Sequence, residues 1–149
     1  SGIDAFVARL KSTNVMTRSV LYDVADVQAW QRLRASGVIP ENKWFLLFVL
    51  GRYSAGQTSS PTDLLPFLEA DDGAYPWAMC AFGPQENACA IAAASLGGHA
   101  RVGFENNLFL MDGAQAANNA ALVEQVTQGA AALGRPLATA QDIRSIFLN

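Results

Sequence analysis

The chain has 149 residues, 51% of them hydrophobic and only 15% charged, with a formal net charge of -3. An average globular domain is about 25% charged, so residues 1–149 read as a single incomplete domain whose apolar faces are covered by a partner or by further sequence. The acidic balance, with no basic run, argues against nucleic acid or an acidic membrane surface as a partner.

Ile3, Phe6, Val7 and Leu10 recur at i, i+3, i+4 and i+7, so the chain begins inside an amphipathic helix. No capping residue precedes that helix, which implies sequence upstream. Residues 19–24 form a short first strand, and Val27, Trp30 and Leu33 then line a helix that Gly37 ends. After Lys43 come seven consecutive apolar residues to Leu50. A strand apolar at every position is covered on both faces, as in a parallel sheet under helices. A buried helix would give the same run, but Pro40 before it and Gly51 after it favour a strand.

Residues 51–60 form a polar loop. Ser60 can cap the next helix, Pro61 can take its first position, and Asp63 suits its first turn. Pro66 lies inside that helix and should bend or shorten it. A third strand over 75–82 leads through Gly83-Pro84 into an alanine-rich helix closed by Gly97-Gly98. A fourth strand is expected over 100–105, then helices over 116–133, stopped by Gly134, and over 141–148. Thr139 and Asp142 have the spacing of a capping box for the last helix.

Cys80 and Cys89 lie nine apart, without the spacing of a metal knuckle, and read as reduced core residues. No run of 18 apolar residues and no signal core are present, so a soluble, cytoplasmic protein is expected. Strand-helix alternation with short connections places the chain in the α/β class with a parallel sheet. Four such units make half of a (β/α)8 TIM barrel, which needs roughly 250 residues to close. An open doubly wound sheet is the alternative, but its GxGxxG turn is missing.

Barrel active sites lie at the C-terminal ends of strands, which selects residues 23–26, 51–59, 82–86 and 105–107. Alternation along the fourth strand puts Arg101, Gly103 and Glu105 on one face, with Val102 and Phe104 on the other. The Cα atoms of Arg101 and Glu105 would then stand about 13 Å apart. A buried arginine and carboxylate need mutual or ligand neutralisation, so a structural ion pair and a functional site are both open. The place of Glu105 at the strand's end favours function. Glu86 reads as a first-turn helix carboxylate rather than a catalytic group. His99, the only histidine, precedes the last strand and reads as a structural hydrogen-bonding residue.

The segment GGHARVGFENNLFL, followed by DGAQAANNAALVEQV and ALGRPLATAQDIR, resembles the C-terminal signature of the β-keto acid cleavage family, which includes the 3-keto-5-aminohexanoate cleavage enzymes. VLYDVADV, GVIPENKWFLLFVLG and ASLGG fall in order where that family has strands five and six and the run into strand eight, so the resemblance covers nearly the whole chain. It implies the C-terminal half, strands five to eight, of a (β/α)8 barrel. There a zinc ion is held by two histidines of an early HxH motif and a glutamate on the last strand. Glu105 matches that glutamate, and Arg101 matches the family's active-site arginine. Asn106 stands where the family's acid/base aspartate often follows and would be a polar contact only, since an amide takes no proton at neutral pH.

The family's fifth-strand glutamate falls near Val20, and its GRxQ-like turn is Gly83-Pro-Gln-Glu86 here. His99 cannot supply an HxH motif. The resemblance therefore implies a zinc-dependent enzyme converting a β-keto acid and acetyl-CoA to acetoacetate and a new acyl-CoA. The zinc histidines would come from an absent N-terminal half or a companion chain, and the complete enzyme would be a homo-oligomer, a homotetramer by family. The loop 51–59 could shape access for substrate or CoA, or be an ordinary surface loop. A non-catalytic fragment or subunit completed by another chain is the rival, and a small-ligand binding module a weaker third.

Overall fold

The computed structural model describes residues 2–13, 16–41 and 43–147. Helix α1 (Gly2–Ser12) opens the chain as its apolar spacing requires, although Phe6 on that face is 62% exposed. The side chains of Ile3 and Val7, and all of Leu148, lie outside the described residues.

Strand β1 (Thr17–Leu21) starts and ends earlier than the apolar pattern suggested, because Asp23 is recruited to cap α2 (Val24–Ala35). The Asp23 side chain accepts from the Asp26 backbone N–H at 2.8 Å, and Asp26 in return accepts from the Tyr22 N–H at 2.9 Å. Reciprocal bonds of this kind satisfy two backbone donors that would otherwise be orphaned at a helix start. The two acidic residues at the first of the four selected strand ends thus fix a helix start.

The seven-residue apolar run is strand β2 (Trp44–Leu50), not a helix. A 3-10 turn (Pro61–Leu64) and helix α3 (Leu65–Ala70) follow. Ser60 and Asp63 form the expected capping box, and Pro66 falls in the first turn of α3, where a missing N–H costs nothing. The proline breaks one helix into two short pieces. Strand β3 (Trp77–Ala81), helix α4 (Glu86–Ser95) and strand β4 (His99–Ala100) complete the sheet. Helix α5 (Asn119–Ala132) begins three residues later than its apolar pattern, with Asn118 as its cap, and α6 (Ala140–Phe147) carries the Thr139–Asp142 capping box.

The four strands are parallel and lie in the order β1-β2-β3-β4. Odd and even positions of the central strands feed different clusters. Leu46, Phe48, Leu50, Met79 and Ala81 pack with Val27 and Trp30 of α2, Phe67 of α3 and Cys89 and Ala90 of α4. Leu47, Val49, Ala78 and Cys80 form a second cluster on the opposite face. Three successive helices therefore cover one face of a sheet whose strand order never reverses. A doubly wound sheet reverses its strand order and carries helices on both faces, so this winding is consistent with part of a (β/α)8 barrel. Arg34 binds Asp72 and lies over the rings of Trp30 and Tyr75 at 5.2 and 5.3 Å, joining α2 to the segment before β3. Among the described residues no helix is long and apolar enough to cross a membrane.

Candidate functional site

The fourth strand is where observation and expectation part. Pairing stops after Ala100, with one further ladder bond from the Arg101 N–H to the Met79 carbonyl at 2.9 Å. Gly103, at φ +155°, then turns the chain, and its carbonyl accepts from the N–H groups of both Asn106 and Asn107. Glu105 thus sits in a turn and not on an extended strand. The alternation that put it on one face with Arg101 and Gly103, at a Cα spacing of about 13 Å, does not hold.

The turn nevertheless brings the three predicted site residues together. An Arg101 guanidinium nitrogen lies 3.4 Å from the Glu105 carboxylate and donates to the Asn106 side-chain oxygen at 3.2 Å. The same nitrogen reaches Cys80 Sγ at 3.5 Å. Cys80 belongs to the cluster on the face opposite α2, α3 and α4, so the Arg101 guanidinium reaches that face near the C-terminal end of β3. Val102 packs with the helix-side cluster, as expected for its neighbour in an extended segment.

The Glu105 side chain is 76% exposed, and the Asn106 side-chain nitrogen is buried without a hydrogen-bond partner. An exposed carboxylate held by a single ion pair can offer an oxygen to a hard or borderline cation. It fits as one donor of a metal cage, but among the described residues no three His, Cys, Asp or Glu side chains converge to complete one.

Glu86, the first residue of α4, is fully buried. One of its oxygens accepts from the Gly103 N–H at 3.2 Å and the other from Asn107 Nδ2 at 3.1 Å. Burial raises its carboxyl above the ordinary range, against the pull of these two donors and of Arg101. It is a first-turn carboxylate, as expected, but its partners on the last turn were not foreseen. Asn119 was also missed, and Asn107, although inside the selected stretch 105–107, has partners that its position alone did not assign. Asn107 closes on both backbone groups of Phe109, and Asn119 accepts from the Phe104 N–H at 2.8 Å. An available signal was the pair Asn118-Asn119 ahead of an apolar helical run, where side-chain acceptors are favoured.

The loop after β2 is organised by hydroxyls. Ser54 Oγ accepts from the Thr58 N–H, and Ser59 Oγ donates to the Leu50 carbonyl while accepting from the Phe82 N–H at 2.7 Å. Ser59 thereby joins the C-terminal ends of β2 and β3. A shallow cavity of about 290 Å³ between this loop and the end of β1 is lined by Tyr22, Asp23, Arg52 and Tyr53. Both cysteines are buried free thiols, and burial pushes Cys89, with Asp63 adding to it, up to about 12. Neither is a ready nucleophile.

His99 lies at the far end of β4, and its ring packs against Phe45 and Phe147 at centroid distances of 6.1 and 6.2 Å. The described contacts of its ring are with these two aromatic side chains. Burial and then the Arg135 charge hold its imidazole below the ordinary 6.5. A histidine more easily protonated when unfolded contributes stability above about pH 6.5 that is lost as pH falls through its lowered folded value. Chemical denaturation at about pH 7 and about pH 5 should therefore show a smaller acid loss in His99→Gln than in the wild type. Equal losses would contradict this placement.

Residues 1–148 match the model of a family described as beta-keto acid cleavage enzyme. A 3-keto-5-aminohexanoate cleavage enzyme of Acetoanaerobium sticklandii is 35% identical over 100 residues, which make up 67% of this chain and 36% of that protein. The enzyme of the same name from Fusobacterium nucleatum subsp. nucleatum is 36% identical over 100 residues, with the same two shares. The match thus spans little more than a third of each relative's length.

Proposed function

Because the chain belongs to the beta-keto acid cleavage enzyme family, we propose that it is the C-terminal half-barrel, strands five to eight, of a zinc-dependent enzyme. That enzyme would convert a β-keto acid and acetyl-CoA to acetoacetate and a new acyl-CoA. One observation carries the reading. Arg101, Glu105 and Asn106 converge beyond the end of the last strand, and the Arg101 guanidinium reaches the face that a closing barrel would enclose. Barrel enzymes place their chemistry at that end.

In this reading Glu105 supplies one oxygen to the zinc, and the histidine donors come from an N-terminal half or companion chain. When bound, the ion supplies Lewis acidity and orients the keto acid. The residues of this chain do the remainder locally. The Arg101 guanidinium, 3.4 Å from Glu105, holds that carboxylate in an ion pair and presents positive charge to a carboxylate substrate. Asn106 carries a buried, unpartnered N–H donor that can point at a substrate oxygen. It cannot exchange a proton, so acid/base work falls to another group. Asn106 is also the specific observation that favours the second reading, a subunit that binds zinc and ligand without turnover. The complete protein is proposed to be cytoplasmic and a homo-oligomer, acting on small acids rather than on nucleic acid or membranes.

The test is a screen of β-keto acids with acetyl-CoA on the chain together with the polypeptide that carries the zinc histidines. Acetoacetate and a new acyl-CoA are expected with at least one acid. The isolated 149-residue chain, free of zinc and of any companion, is expected to be inactive. Turnover by that bare chain would refute the proposal, and zinc binding with no product from any acid would select the second reading.

A further inference from the structure

We propose that Glu86 is the positioning residue of the Arg101–Glu105–Asn106 cluster, through its grip on both ends of the turn that carries it. The inference rests on the reading of Glu105 as a zinc ligand and adds to it the residue that ends the Gly83-Pro-Gln-Glu86 turn.

The geometry is specific. The two Glu86 oxygens take one donor each, at Gly103 and at Asn107, so a single buried side chain brackets Phe104, Glu105 and Asn106. Glu86 itself stands on a firm base, since α4 buries Cys89, Ala90 and Ala93 in the helix-side core. The donor it meets at Asn107 cannot be exchanged for an acceptor by turning the amide. Asn107 Nδ2 also donates to the Phe109 carbonyl at 2.6 Å, while its Oδ1 accepts from the Phe109 N–H at 3.0 Å. Rotation would lose both bonds.

Position 86 therefore requires acceptors on both branches, which an ionised carboxylate provides and an amide does not. Glutamine there would keep the bond to Gly103 but set an N–H against the Asn107 N–H. A half-satisfied buried network is costly and imprecise. The turn would open at the Asn107 end, next to the two residues that face the site.

Zinc affinity, read by chelator competition, and kcat on the zinc-loaded complete enzyme test the proposal with wild type, Glu86→Gln and Val27→Ala. Val27 is buried on α2 in the helix-side core, away from the turn, and its truncation gauges the effect of lost stability alone. Glu86→Gln should weaken zinc binding by about 10- to 100-fold, the usual consequence of removing a group that orients a metal ligand, and lower kcat with it. Val27→Ala should lose stability and keep wild-type zinc affinity. Equal zinc affinity in wild type and Glu86→Gln would overturn the role, as would an equal weakening in Val27→Ala. If Glu86→Gln does not fold, Asn107→Ala severs the same grip from the other side, and unchanged affinity there overturns the role too. A wild type that holds no zinc removes the ligand reading and this role together, whereas a zinc-binding wild type with an unmoved Glu86→Gln removes this role alone.

Discussion

Glu105→Ala in the complete enzyme is expected to weaken zinc binding by more than about 100-fold, beyond the effect of losing a group that only orients a ligand, and to abolish cleavage. The fold should not notice. The Glu105 side chain is 76% exposed and its recorded contact is one ion pair with Arg101. Exposed pairs of this kind contribute about 0–1 kcal/mol. The thermal midpoint of the zinc-free protein should therefore stay within about 2–4 °C of the zinc-free wild type. Arg101 keeps its bonds to Asn106 and Cys80 in the variant, so the turn retains its anchor. Isothermal titration with zinc, paired with a melting curve, separates the two effects. Wild-type affinity in a folded variant would remove Glu105 from the metal site.

Gly51→Ala should have a large effect on stability. Gly51 has a φ of +70°, and a Cβ there would overlap the Thr58 carbonyl and come 2.6 Å from Ser59 Oγ. The left-handed conformation costs a non-glycine residue about 1–2 kcal/mol, and overpacking against backbone adds about 1–3 kcal/mol. Together these approach a large part of a typical domain stability of about 5–15 kcal/mol. Ser59 would be the casualty, because its hydroxyl joins Leu50 of β2 to Phe82 beyond β3. A fall in the urea midpoint at unchanged slope is the expected result. An unchanged midpoint would mean that the loop moves aside freely.

The elements built on long periodic signals were legible in the sequence. Seven apolar residues between Pro40 and Gly51 could be read as a doubly covered strand, and β2 is buried on both faces. Ser60-Pro61-Asp63 and Thr139-Asp142 announced helix starts that the structure contains. Strand four was misjudged for a physical reason. Period-two reasoning assumes extended backbone throughout, and Gly103 with its carbonyl bonds to Asn106 and Asn107 ends that extension. Arg101 and Glu105 are still neighbours, but across a turn. Glu86 was legible as a helix-start residue and not as a clamp. Its partners lie 17 and 21 positions away, on a different element, and no local pattern records such a contact. His99 was read by residue type, whereas its environment is set by Phe45 and Phe147 on two other elements.

Zinc X-ray absorption on the complete enzyme bears most directly on whether the last turn holds the metal. The coordination shell should contain only nitrogen and oxygen donors at about 2.0–2.2 Å, and Glu105→Ala should lose one oxygen from it. A shell containing sulfur, or one identical in wild type and variant, would contradict the account.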